Sequence, residues 1–499
     1  MAALTLVAFL VRLARLLESP EPPGTDGYYY VVQVEHWLTE GFFHVRDASW
    51  VLRVLALGSA VLGGPVVGVK VVSALLAALC VPAAWFAGRE LDRVGEGTTL
   101  TPAHSQRERG HTRALGLATW AAVSPTLTHL AGDFPKTLGA MAPLLVVLGW
   151  VISGRRGWGA LLGGAGALLL AATAHRLGAS LLGLLAVGAC GGLVLRGRRD
   201  APERKGPLLL VGLACLVCFA LLTTVLPNLL HPKDLERVSS QLDLSPGAPP
   251  PFPYFALRRT HVLQQVELGA SWLGLVVGAV LLWRRRDLRP LVMGLVLPLA
   301  VCLLPLWRGD VLDLGYRTSL LAPLLAVPLV LLCVPPWHPR QVLHPWALAL
   351  LVLALVPLAR FGFDPHATPP YGRFRTVIAR IPRPLPELLI THQGVNFLYD
   401  HVTGQEAMAW APEPGLDRTR VGRLVWGIED GEWMAYAPEQ EGLPPPVRLD
   451  RDYVYVREDY FEAFLTRVRA EGDEELLDRL TDWHNPSAVR PASLLRNHD

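Results

Sequence analysis

The chain has 499 residues, 51% of them hydrophobic, and a formal net charge of +3. That length would allow several soluble domains, but the apolar residues gather into blocks such as "LLLVGLACLVCFALLTTVL" (208–226) and "LLAPLLAVPLVLLCV" (320–334). This excludes an ordinary soluble enzyme. The short basic runs "GHTR" and "RRRD" flank such blocks as topology signals, which argues against a nucleic-acid partner.

Apolar blocks of roughly 18–25 residues have the length a helix needs to cross a bilayer. Gly and Pro inside them are tolerated, because neighbouring helices re-satisfy the backbone. In chain order, the sequence predicts spanning helices near 1–17, 65–88, 113–131, 135–152, 158–174, 177–195, 207–227, 266–283, 289–307, 318–335 and 343–361. This is a polytopic α-helical membrane protein with about eleven spans. The first span is charge-free only over "MAALTLVAFL", before Arg12 and Arg15, so a start further upstream is one reading. A cleaved signal peptide fits less well, since there is no basic n-region.

Counted from the first helix, one alternate set of loops ("GRELDRVGEGTTLTPAHSQRERGHTR", "GRRG", "RGRRDAPERK", "WRRRDLRP", "PPWHPRQ") is the more basic. By the positive-inside rule these loops and the N-terminus are cytoplasmic, in a multi-pass inner-membrane protein. The other set, with everything beyond 363, then faces the periplasm or the exterior. Cys80, Cys190, Cys215, Cys218, Cys302 and Cys333 all lie in apolar runs, so no disulfide framework is expected.

Two outer loops are long. Residues 18–64 include "VVQVEHWLTEG", spaced like a helix lying along the interface, and 228–265 include "LSPGAPPPFPYF", read as an irregular lid. At "FGFDPHATPPYGRFR" the composition shifts, dividing a transmembrane domain (1–362) from a soluble α/β domain (363–499). In the latter, 387–392, "RLVWGIE" and "YVYVRE" read as strands, and "DYFEAFLTRVRA" and "EELLDRLTDW" as helices. A further helix, "VNFLYDHVTG", closes on Gly404.

The chemically distinctive residues fall on the outer side. Asp26 precedes Tyr28, Tyr29 and Tyr30 in "GTDGYYY"; Asp133 and Lys136 share the turn "GDFPKT"; His175 and Arg176 interrupt an apolar stretch; and "WRGDVLDLGYRTS" carries Arg308 and Arg317. Each has a plainer reading: Asp26 as a solvated helix-flanking acid, the tyrosines as an interfacial belt, Asp133 with Lys136 as a capping ion pair, the arginines as snorkelling side chains. Intramembrane ionisable residues, however, usually face a cavity or a partner.

The order of these features resembles the GT-C membrane glycosyltransferases: a first helix ending in Arg, an acid with tyrosines ("TDGYYY"), a long first outer loop, a short second loop ("GDFPKT"), many helices and an outward tail. The superfamily includes protein O-mannosyltransferases, aminoarabinose transferases and oligosaccharyltransferase catalytic subunits. The resemblance implies a GT-C-like fold and a sugar donor carried on polyprenyl phosphate in the membrane lipid. It also implies an acid in the first outer loop acting on an acceptor that is glycan, lipid or protein. Glycosyl transfer needs a base near the nucleophile and cations near the leaving phosphate. Asp26, assisted by Asp133, fits the first role; Lys136, His175, Arg176, Arg308 and Arg317 fit donor binding, and Tyr28 fits stacking on a sugar. Oligosaccharyltransferase-like enzymes carry an acid-x-acid pair for a divalent ion in the second loop. Here Asp133 stands alone between Gly132 and Phe134, so no metal is expected, although Asp26 with Asp133 is where one would bind. The alternatives are a polymerase or ligase of lipid-linked polysaccharide, a non-catalytic envelope assembly protein, and a transporter, for which the repeat symmetry is missing.

Overall fold

The computed structural model describes residues 1–24, 26–44, 47, 49–96, 112–153, 158–196, 262–303, 314–333, 370–392, 394–408, 417–438 and 442–481. They form two compact units: Met1–Pro23 with Trp37–Pro365, and Gly24–His36 with His366–Asp499. The predicted spans 207–227 and 343–361, Arg308 and most of the 228–265 loop lie outside the described residues.

In the first unit, α1 (Ala2–Leu17), α3 (Trp50–Leu62), α5 (Thr112–Val123) and α7 (Pro135–Ser153) all pack on α4 (Pro65–Glu96). Close approach is built in at Gly88 of α4, where a Cβ would come within 2.4 Å of the Ala114 Cα on α5. Small residues let helices pack this way where lipid supplies no hydrophobic drive. α8 (Trp158–Ala174) and α9 (Arg176–Arg196) are helices at the positions of the predicted 158–174 and 177–195, and α10 (Val262–Arg284), α11 (Arg289–Leu303), the short α12 (Leu314–Ser319) and α13 (Ala322–Cys333) complete the described α-helices of this unit. Among the described residues, Pro65–Val94, Pro135–Ser153 and Gln264–Arg284 are long and apolar enough to cross a membrane.

The predicted span 113–131 is instead two helices, α5 and α6 (Pro125–Asp133), parted at Ser124. Pro125 has no N–H, so the Ala121 carbonyl loses its helical donor. The Arg12 guanidinium of α1, 1% exposed, supplies the replacement: Nη2 donates to Ala121 O at 2.9 Å, and Nε to Thr128 Oγ1 at 3.2 Å. On the other side of the break, the first turn of α6 has orphan amides. Glu267 of α10 accepts from Thr126 N at 2.8 Å, Ser124 Oγ at 2.6 Å and Trp120 Nε1 at 2.6 Å, while Ser124 Oγ accepts from Leu127 N at 3.1 Å. The cation thus sits at a helix C-terminus and the carboxylate at a helix N-terminus, as the helix dipole favours.

The second unit is built on a five-stranded sheet in the order β2-β1-β3-β5-β4: β1 (Leu388–Ile390), β2 (Glu406–Met408), β3 (Val421–Trp426), β4 (Val447–Arg448) and β5 (Tyr453–Arg457). β1 pairs parallel with β2 and β3, and β5 pairs antiparallel with β3 and β4. Leu389 faces Ala407 on one side and Gly422 on the other, and Leu424 faces Tyr455. Helix α2 (Gly27–Glu40) enters this unit with its first ten residues, beside α14 (Tyr371–Ala379) and α15 (Val395–Thr403), which ends on Gly404 in the left-handed region. α16 (Asp430–Ala435), α17 (Glu458–Glu471) and α18 (Glu474–Thr481) follow. Phe461, Phe464 and Val468 of α17 pack with Val425, Val454 and Trp433 in the core.

Arg423 of β3 and Glu458 are buried together, joined by two hydrogen bonds, with the guanidinium 4.2 Å from the Phe461 ring centroid. Nearby, Arg373 bridges Asp450 at 2.8 Å and Asp452 at 2.6 Å. Burial alone would raise the Asp450 carboxyl, but hydrogen bonds from Arg373 and from the Asp452 and Tyr453 amides outweigh it and hold it below the usual carboxylate range.

Two outcomes follow for the full chain in detergent. Arg423→Met leaves Glu458 buried and unpaired and should cost about 3–5 kcal/mol, whereas the double change Arg423→Met with Glu458→Met recovers most of the lost melting temperature. A double variant no more stable than the single would overturn this account. Glu267→Ala strips the α6 N-terminus of its acceptor and should cost about 1–3 kcal/mol; an unchanged melting temperature would show that the capping is dispensable.

Candidate functional site in the first unit

The helix break sets the site. α6 is a short helix that carries His129 and Asp133 one turn apart, both buried, with His129 Nε2 3.3 Å from Asp133 Oδ2. Phe134 alone separates α6 from α7, whose second residue is Lys136. Lys136 Nζ donates to Asp47 Oδ2 at 2.7 Å, with the side chains 17% and 23% exposed. Asp47 is itself fixed, since its Oδ1 accepts from the Ser49 amide at 2.8 Å and the Ser49 hydroxyl donates to Ala174 O at 2.6 Å. The expected Asp133–Lys136 turn is therefore present, but each partner is held elsewhere: the acid by His129, the cation by Asp47.

His175 and Arg317 meet the same turn. His175 Nδ1 accepts from the Leu177 amide at 3.2 Å and lies 3.4 Å from the Thr137 hydroxyl. An accepting Nδ1 leaves the proton of the neutral ring on Nε2. The Arg317 guanidinium of α12 lies 5.0 Å from the centroid of the Phe134 ring, close enough for a cation–π contact. Its Nε is buried and finds no hydrogen-bond partner among the described residues. A buried N–H normally has a partner, so this one is suited to receive an anion's oxygen. Arg176 opens α9, with its side chain outside the described residues.

Asp26 and Tyr28 belong to the second unit. Asp26 is half-buried just before α2, and its carbonyl accepts from the Tyr30 amide at 3.3 Å. Tyr28 corrects two expectations. It is 1% exposed, with its ring 4.8 Å from Tyr371 and 5.0 Å from His401, so no face is open for a sugar. Nor do the tyrosines form an interfacial belt: Tyr30 is 2% exposed and Tyr29 rests on Phe397 at 5.3 Å.

Sequence reasoning missed Asp47, His129, Arg12 and Glu267. The spacing of His129 and Asp133 was readable as an i, i+4 pair. Asp47 lies 89 residues from its lysine and carried no local signal.

No protein-family model matches the chain, and no curated protein matches it. Among solved structures, ArnT from Cupriavidus metallidurans in the apo state is similar at a TM-score of 0.52 and 12% identity, over 92% of this chain and 97% of that one. The same protein bound to undecaprenyl phosphate gives a TM-score of 0.50 and 13% identity. The Archaeoglobus fulgidus oligosaccharyltransferase in the apo form follows at a TM-score of 0.49 and 11% identity, and this chain spans 64% of its length. The chain thus shares the overall fold of that ArnT structure, with apolar helices among its described residues long enough to cross a membrane.

Proposed function

We propose that the protein is a glycosyltransferase that takes a sugar from a polyprenyl-phosphate carrier and delivers it to a hydroxyl on the outer face of the cytoplasmic membrane. The observation that carries this reading is the cationic turn of the first unit. Lys136, whose partner is a part-exposed carboxylate, and Arg317, whose buried Nε has no hydrogen-bond partner among the described residues, meet at one helix junction beside Phe134. Asp47 offers Lys136 the same kind of oxygen that a phosphate would. A phosphate brings more charge and several acceptors, and can displace the carboxylate. Support of a second kind is the shared fold: the ArnT structure in the same fold was solved with undecaprenyl phosphate bound.

In this reading Lys136 and Arg317 stabilise charge on the leaving phosphate, and His175 Nε2–H offers a further donor. Asp26 is the base, a role given by its place in the first outer loop: it removes the acceptor proton as oxygen attacks the anomeric carbon and the carbon–phosphate-oxygen bond breaks. In-line attack inverts the anomeric centre. Asp133, buried against His129, keeps its turn in shape and assists electrostatically.

The test uses undecaprenyl phosphate binding and a transfer assay over a panel of polyprenyl-phosphate sugars. Lys136→Met and Arg317→Met should each weaken undecaprenyl phosphate binding roughly 10- to 100-fold, the worth of one hydrogen bond to a charged group. Unchanged binding in both would remove the phosphate assignment. Asp26→Asn should lower turnover about 100-fold or more with binding intact. Full activity in that variant, or a product of retained configuration, would sink the mechanism.

A further inference from the structure

The short stretch around Asp26 is more heavily tied down than a surface loop. Tyr371 of α14 donates its hydroxyl to Gly24 O at 2.9 Å, two residues before Asp26. Two residues after it, Arg375 of α14 donates to the Tyr28 hydroxyl. Further along α2, Glu35 pairs with His401 at 2.9 Å and His36 with Asp400 at 3.8 Å, across to α15. The two pairs are reciprocal: an acid then a histidine on α2 meet a histidine and an acid that adjoin on α15. Between these anchors, Val31, Val32 and Val34 are fully buried.

The apolar contacts suffice to bury α2, so the polar ones need another explanation. The side chains of the Glu35–His401 and His36–Asp400 pairs are 13–30% exposed, and part-exposed pairs of this kind add little stability. What they add is register. The Tyr371–Gly24, Arg375–Tyr28 and Glu35–His401 hydrogen bonds hold narrow distances and angles, whereas apolar packing of a valine stripe tolerates sliding and rotation. The anchors also flank Asp26 on both sides, through Gly24 and Tyr28, so they fix the short piece of chain that aims its carboxylate.

We infer that α14 and α15 of the C-terminal region are a positioning device for Asp26, acting through Tyr371, Arg375 and the reciprocal Glu35–His401 and His36–Asp400 pairs. These are positioning residues, which act through the backbone that carries the acid. The inference rests on the reading of Asp26 as the base. A misplacement of about 1 Å at a reacting group costs on the order of 100-fold in rate, so loosening the clasp should fall on turnover.

The experiment compares Arg375→Met, the pair Glu35→Gln with His401→Gln, and the swap Glu35→His with His401→Glu, all in the full chain. Amide hydrogen exchange over residues 27–34 should accelerate at least about 10-fold in the first two and return toward the parent rate in the swap. Turnover should fall roughly 10- to 100-fold in the first two, with undecaprenyl phosphate binding and melting temperature near the parent values, and recover in the swap. Unchanged exchange in the first two variants overturns the clasp whatever the activity does. Accelerated exchange with parental turnover overturns its role in positioning. Loss of melting temperature in step with turnover, without recovery in the swap, reduces the contacts to ordinary packing and also overturns it. Asp26→Asn run in parallel separates the two ideas: a dead Asp26→Asn beside fully active clasp variants leaves the function reading standing and removes only this inference.

Discussion

The first unit depends on how a broken helix is finished inside an apolar bundle. Pro125 removes one donor, and the chain restarts as α6 with orphan amides; in a setting without water neither end can be left open. Arg12 completes one end and Glu267 the other. Either ion alone at that depth would be expensive. Set against opposite helix termini, each meets the partial charge that suits it, and α6 leaves the break in a direction of its own. His129, Asp133, Phe134 and Lys136 owe their place to that redirection.

From there the site follows from pairings that the sequence order hides. Lys136 is close to Asp133 in sequence, yet its carboxylate is Asp47. Asp47, itself held by the Ser49 amide, fixes where the Lys136 ammonium sits. Arg317 complements it from α12, with its guanidinium carbon 5.0 Å from the centre of the Phe134 ring.

Much of the architecture was legible from the residues. Apolar block lengths located α1, α8 and α9 within a residue or so, and the strand and helix periods of the C-terminal region located β1, β3, β5, α15, α17 and α18. What escaped had specific causes. The Ser124–Pro125 break looked like a tolerated proline in a span, because its repair is made by residues more than a hundred positions away in each direction. β4, only two residues long, is too short for an alternation to register. The tyrosines after Asp26 looked like interfacial anchors because nothing local announces that Tyr371, Phe397 and His401 cover them. Asp133, Lys136, His175 and Arg317 were legible as candidates because charge is rare in such surroundings; their actual partners were not.

The membership of Gly24–His36 in the C-terminal unit also bears on how the protein is made. Tyr371 lies 347 residues beyond the carbonyl it binds. At about 5–20 residues per second, ribosomes need on the order of a minute or less to bridge that gap, and during it every preceding span has already been synthesised. Throughout that interval Tyr28, Tyr30 and the valine stripe of α2 have no native cover. Residues 24–36 are therefore among the first parts of the chain to be made and among the last to fold, a long interval without native cover for the very residues that will later hold Asp26 in place.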